Sequence, residues 1–220
     1  MIKSISSVFA LLLIAFSVMG QELKTELDSI SYCVGMTVAK NLKGQGLTEI
    51  NAEIFQKAVS DIFNKNETLM NPSDAQAYFS EYIQKQKNMT GDNNKIAGEQ
   101  FLAENAKKEG VVVLDNGLQY EVMVMGDGPK PAITDKVYTH YHGMLIDGTV
   151  FDSSVERGEA IEFPLNRVIR GWTEILQLMP EGSKWRVYIP YDLAYGAQGT
   201  GEDIGPYSAL IFEIELIEIR

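Results

Sequence analysis

Trp172 closes a short apolar turn, Val168-Ile169-Arg170-Gly171-Trp172, and is one of only two tryptophans in 220 residues. A side chain of that size between strand-like segments reads as buried, where its flat ring makes a floor. Tyr141 and Phe151 before it, and Tyr195 and Phe212 after it, are placed to wall that floor. Such a set offers binding rather than bond cleavage: a small concave apolar pocket takes a compact apolar group out of water. Metal chemistry finds less support. His140 and His142 alternate to one face of a strand, but no third Cys, His or carboxylate cluster accompanies them, so neither metal nor cofactor is expected. Cys33 is the only cysteine and has no intrachain disulfide partner. It reads as a small buried hydrophobe, with an interchain disulfide as the lesser alternative.

The chain is 45% hydrophobic and 22% charged, an ordinary globular balance. Its net charge of -11 falls mostly after residue 110 and is relieved by no run of Lys or Arg, which argues against nucleic acid as a partner. Lys3 precedes an apolar run from Val8 to Met19 that ends in small residues before Gln21. Residues 1–20 therefore read as a cleavable secretory signal. No later stretch reaches the roughly 18 apolar residues of a membrane span, so the mature chain is expected to be soluble.

The elements that must position the aromatics fall into two halves. Leu27, Ile30, Val34, Val38 and Leu42 recur at three and four, predicting a helix over 26–43 that Gly44 stops. Asn51 caps a second helix with Ile54, Phe55, Ala58, Val59, Ile62 and Phe63 on one face. Ser73 with Gln76 makes a capping box for a third helix. Its pattern thins at Thr90-Gly91-Asp92-Asn93-Asn94 and resumes over Lys95–Lys108, predicting one long helix with a weak or bent middle. These helices carry more Ile, Phe and Tyr than they can bury alone, and a second copy of the chain is the natural cover. The alternative is that the same faces pack on the C-terminal half.

After Gly110 the period becomes strand-like: Val111–Leu114, Leu118–Met125, Lys136–Leu145, Glu162–Phe163, Lys184–Ile189 and Ala209–Ile219. With no alternating helices to make parallel crossovers, this half should be an antiparallel sheet covered on one side by a helix over 168–179. The expected class is α+β, with a helical region over 21–109 and a sheet domain over 110–220.

Five motifs in order carry a resemblance: Tyr138–Gly143 (YTHYHG), Asp147–Ser154 (DGTVFDSS), Val168–Trp172 (VIRGW), Tyr191–Gly196 (YDLAYG) and Ala209–Phe212 (ALIF). Together they resemble the FKBP-type peptidyl-prolyl cis-trans isomerases. The helical half, with Asp28–Gly35 (DSISYCVG) and Asn116–Tyr120 (NGLQY), is similar to the secreted bacterial Mip and FkpA subgroup. The resemblance implies an FKBP-like sheet wrapped on a short helix, and helices that hold a homodimer. It implies a substrate pocket of Tyr141, Phe151, Ile161, Val168, Ile169, Trp172 and Phe212, with Asp152 and Tyr195 as the catalytic pair. The Ile169 N–H and the Tyr195 hydroxyl are then the groups that hold ligand carbonyls. Family macrolide inhibitors are possible ligands. The sequence departs from the family pattern at Ile161, where an aromatic is common, at Gly205 before Pro206, and near Asn166, where it is two residues shorter.

The chemistry implied is rotation about X-Pro bonds, whose barrier of about 18–20 kcal/mol comes from amide resonance. No nucleophile is needed. A dry pocket withdraws water from the amide carbonyl and fits the twisted amide best. Asp152 reads either as a group that meets the rotating carbonyl or as a structural acceptor. Clients would be proline-containing polypeptides in the periplasm or at the outer membrane or cell surface. A holdase-type chaperone with incidental isomerase activity is the rival reading.

Overall fold

The computed structural model describes residues 22–201 and 203–220. The expected secretory signal, residues 1–20, lies outside them. The chain separates into two compact units, one ending at Lys40 and the other running Asn41–Arg220. Among the described residues no helix is long and apolar enough to cross a membrane.

Helix α1 (Glu26–Gly44) begins at a reciprocal cap: the Asp28 N–H donates to Thr25 Oγ1 at 3.0 Å and the Thr25 N–H donates to Asp28 Oδ2 at 2.9 Å. Leu27, Ile30, Val34 and Met36 are all exposed on it. Cys33 is exposed too, contrary to the expectation of a buried hydrophobe, because no side chain of α1 is buried within the single chain.

Helix α2 (Ala52–Asn64) starts at Asn51, whose side chain accepts from the Glu53 and Ile54 N–H groups. Helix α3 (Pro72–Asn105) has its cap at Asn71, two residues before the anticipated Ser73. Pro72 fixes the first helical φ, so the residue before it becomes the cap: Asn71 Oδ1 accepts from the Ser73 N–H at 2.9 Å. Gln76 reaches forward to Ser80 and takes no part.

The expected weak middle of α3 is absent; the helix runs unbroken for 34 residues. Gly91 and Gly98 are buried, and their missing side chains make room for the sheet domain. A Cβ on Gly91 would lie 3.0 Å from the Tyr207 ring and 3.3 Å from Pro206 Cβ; one on Gly98 would lie 3.1 Å from Ala209 Cβ. Between them the Asn94 amide donates to Pro206 O at 2.9 Å and to Ser208 Oγ at 3.3 Å. The residues that lower helix propensity are the ones that let the helix dock, and docking outweighs propensities of under about 1 kcal/mol each. Two turns beyond Gly98, buried Asn105 donates to Gln119, and Gln119 donates to Leu102 O.

The sheet follows: β1 (Val111–Val113), β2 (Gln119–Val124), β3 (Lys136–Leu145), β4 (Val150–Ser153), β5 (Ile161–Pro164), β6 (Lys184–Ile189) and β7 (Leu210–Ile219). All pairs are antiparallel, in the order β1-β2-β6-β7-β3-β4, with β5 also on β3. Helix α5 (Arg170–Leu176) is shorter than the expected 168–179 span and buries Trp172, Ile175 and Leu176 in a core with Leu118, Val137 and Val187.

One irregularity of the sheet matters for the site. The outer edge of β3 pairs with β5 through Thr139 and with β4 from His142 onward. His140 and Tyr141 fall in the gap, where Ser154, opening the one-turn helix α4 (Ser154–Arg157), takes the place of a strand. Its Oγ accepts the Tyr141 N–H at 2.7 Å and lies 3.1 Å from His140 Nδ1. His142 Nδ1 lies 2.9 Å from Ser153 Oγ, so both histidines serve this junction.

Candidate active site

Trp172 lies in the first turn of α5, with its ring nearly perpendicular to three neighbours: Phe212 at 5.3 Å, Tyr141 at 5.4 Å and Phe163 at 5.6 Å between centroids. Edge-to-face contacts at these distances are the favoured aromatic geometry, and together they fix the indole from three sides. Phe151 stands edge-on to Phe212 at 5.5 Å. Both fit because Gly143 has no side chain; a Cβ there would come within 2.8 Å of each ring.

Above the indole opens a cavity of about 280 Å³ lined by Tyr141, Phe151, Asp152, Phe163, Arg167, Val168, Ile169, Trp172, Tyr195 and Phe212. Eight of the nine residues singled out from the sequence meet here; Ile161 does not. Its side chain packs against the core from β5. Phe163, two positions along the same face of that strand, supplies the aromatic wall instead. Phe163 and Arg167 were not legible as site residues, since only the register of β5 on β3 and the turn at Leu165–Arg167 bring them in.

Asp152 Oδ2 accepts the Tyr141 hydroxyl at 2.5 Å, and its other oxygen pairs with Arg157. Arg157 also donates to the Tyr141 hydroxyl at 2.9 Å and stands 5.7 Å from the ring centroid. Burial alone would raise the Asp152 pKa; the Tyr141 and Arg157 hydrogen bonds and the Arg157 charge outweigh it and hold the carboxyl below its ordinary value. Burial, then Asp152, pushes the Tyr141 hydroxyl up. Tyr195 is raised by the same two causes, and among the described residues its hydroxyl has no hydrogen-bond partner. The Ile169 N–H, at the entry to α5, is also without an acceptor among them. Two free donors therefore stand at the mouth of an apolar well, beside an ionised carboxylate that is already neutralised. No group of three or more His, Cys, Asp or Glu able to hold a metal occurs among the described residues.

The geometry is that of a small aromatic well with hydrogen-bond donors at its rim. Residues 128–217 match the family model described as FKBP-type peptidyl-prolyl cis-trans isomerase, and residues 27–122 match the domain amino terminal to it. The chain is 45% identical over 193 residues to the FKBP-type 22 kDa peptidyl-prolyl cis-trans isomerase of Escherichia coli, covering 86% of this chain and 93% of that protein. It is 40% identical over 205 residues to the outer membrane protein MIP of Legionella longbeachae, covering 90% and 88%. The crystal structure of FkpA from Escherichia coli superposes with a TM-score of 0.66 at 28% identity, covering 90% of this chain and 99% of that one. The chain belongs to the FKBP-type peptidyl-prolyl cis-trans isomerases, in the subgroup that contains Mip and FkpA. It is an enzyme of that type.

Proposed function

We propose that this isomerase assists the folding of exported proteins by turning X-Pro bonds in the Trp172 well. The observation that supports this most directly is the well itself: three edge-on aromatics, a cavity of about 280 Å³ and two unpaired donors at its mouth. The proline ring lies on Trp172, the Ile169 N–H and the Tyr195 hydroxyl take the neighbouring carbonyls, and the turning amide is shielded from water. Loss of water from the carbonyl weakens the charge-separated resonance form and lowers the rotational barrier. Asp152, held by Tyr141 and Arg157, fixes the wall of the well.

Export follows from the apolar leader, with residues 1–20 removed, 21–109 forming the helical region and 110–220 the catalytic domain. The helices hold a homodimer. Ile54 is 56% exposed and Phe63 82% exposed in the single chain, and an apolar groove of about 550 Å³ runs between α2 and the start of α3, lined by Ile54, Ile62, Leu69, Met70 and Pro72 among others. Contiguous apolar surface of this kind marks a protein interface.

The test is the exchange rate of a proline tetrapeptide with the mature chain. Catalysed cis-trans exchange is expected. Exchange no faster than in buffer would remove the isomerase reading and leave a holdase.

A further inference from the structure

Only two formally charged residues line the well, Asp152 and Arg167. Asp152 is occupied, because Arg157 pairs with it and Tyr141 donates to it. Arg167 has no ion pair among the described residues, while the next arginine along, Arg170, lies 3.5 Å from Glu174. The Asp152–Arg157 pair cancels, so among the described residues the mouth carries one unpaired positive charge, on a chain of net charge -11.

The backbone beneath Arg167 is fixed. Leu165, at the start of the same short turn, is fully buried; its N–H donates to Asp135 O at 3.0 Å and its carbonyl accepts Thr173 Oγ1 at 2.9 Å. Val168 and Ile169, the next two residues, also line the well. Arg167 is thus anchored at the rim with its side chain exposed, beside the space where residues flanking a bound proline would lie. A solvated surface charge would have little effect. One at the lip of a low-dielectric cleft acts with less screening and biases which ligands enter.

We propose that Arg167 makes this pocket discriminate by charge, favouring an acidic side chain next to the bound proline and disfavouring a basic one. This deepens the isomerase reading and rests on it.

The mature chain is assayed by NMR exchange spectroscopy at low ionic strength with two peptide series, Glu, Gln, Leu or Lys placed before the proline in one and after it in the other. The expected result is a Glu-over-Lys preference of about 3- to 10-fold in at least one series, fading at about 0.5 M salt. Arg167→Gln should bring the ratio toward one, Arg167→Glu should invert it, and Arg167→Lys should keep its direction. Equal rates for Glu and Lys in both series, or a ratio unmoved by Arg167→Gln and Arg167→Glu in folded protein, would overturn the proposal. Failure of the Leu peptides as well would point instead at the isomerase reading itself.

Discussion

Asp152 is a carboxylate on which two opposing influences meet. Burial favours its neutral form, and the hydroxyl of Tyr141 with the guanidinium of Arg157 favours its charged form and wins. The folded pKa lies below the ordinary 3.8. The stability this cluster adds is therefore complete above that value and is lost as acidification passes through the folded pKa. Asp152→Asn should accordingly flatten the acid limb of stability against pH, measured by urea unfolding; an unchanged acid limb would remove the cluster from the account. For catalysis, Asp152→Ala and Tyr195→Phe should each lower kcat/KM by roughly 5- to 150-fold, the worth of about 1–3 kcal/mol for one polar contact. Wild-type rates in both folded variants would exclude them from the reaction. Trp172 and its distant aromatic neighbours were legible because large aromatics in ordered motifs have few places to go. Arg157 was not, since nothing in its spacing shows that Ser154 closes a gap in the sheet edge and aims α4 back at Asp152.

Among the elements, α3 departs furthest from its sequence pattern. Periodicity foretold its length, and the Gly91–Asn94 stretch foretold a bend, because propensity weighs each residue against water. In the fold Gly91 and Asn94 face Pro206, Tyr207 and Ser208 instead. Tyr207 itself has a φ of 55°, a left-handed conformation costly for a bulky residue. Its ring lies against Gly91 and edge-on to Tyr191 at 5.1 Å, and its N–H bonds Gly196 O at 2.9 Å, beside Tyr195. The sign of one substitution separates docking from a hinge. At a solvated helix position, replacing glycine by a bulkier residue is neutral or stabilising. Gly91→Val and Gly98→Val should each instead destabilise by about 1–3 kcal/mol through overpacking, read from chemical denaturation. No loss in either variant would mean the seam does not form. The strand pattern was easier to read than α3 because alternation in β3, β6 and β7 reports burial directly; β4, only four residues long, was absorbed into a motif.

For the whole molecule, the exposed apolar faces of α1 and α2 carry the next expectation. Light scattering on the mature protein at micromolar concentration should give twice the chain mass, and a monomer would refute the assembly. Polar replacement at Ile62 and Phe63, both largely exposed in the single chain, should yield a soluble monomer with its pocket intact. Neither the proposed dimer nor the proposed export was derivable from charge or composition; the proposals rest on the surplus of apolar helix surface and on the leader. The docked seam on α3 also sets how the molecule moves in solution. A jointed helix would let the sheet domain reorient on its own, giving its amides the short rotational correlation time of a body of about 110 residues. With Gly91, Asn94 and Gly98 engaged, ¹⁵N relaxation should report one slower correlation time shared by α3 and the sheet, so the mouth of the well turns only when its long helix turns with it.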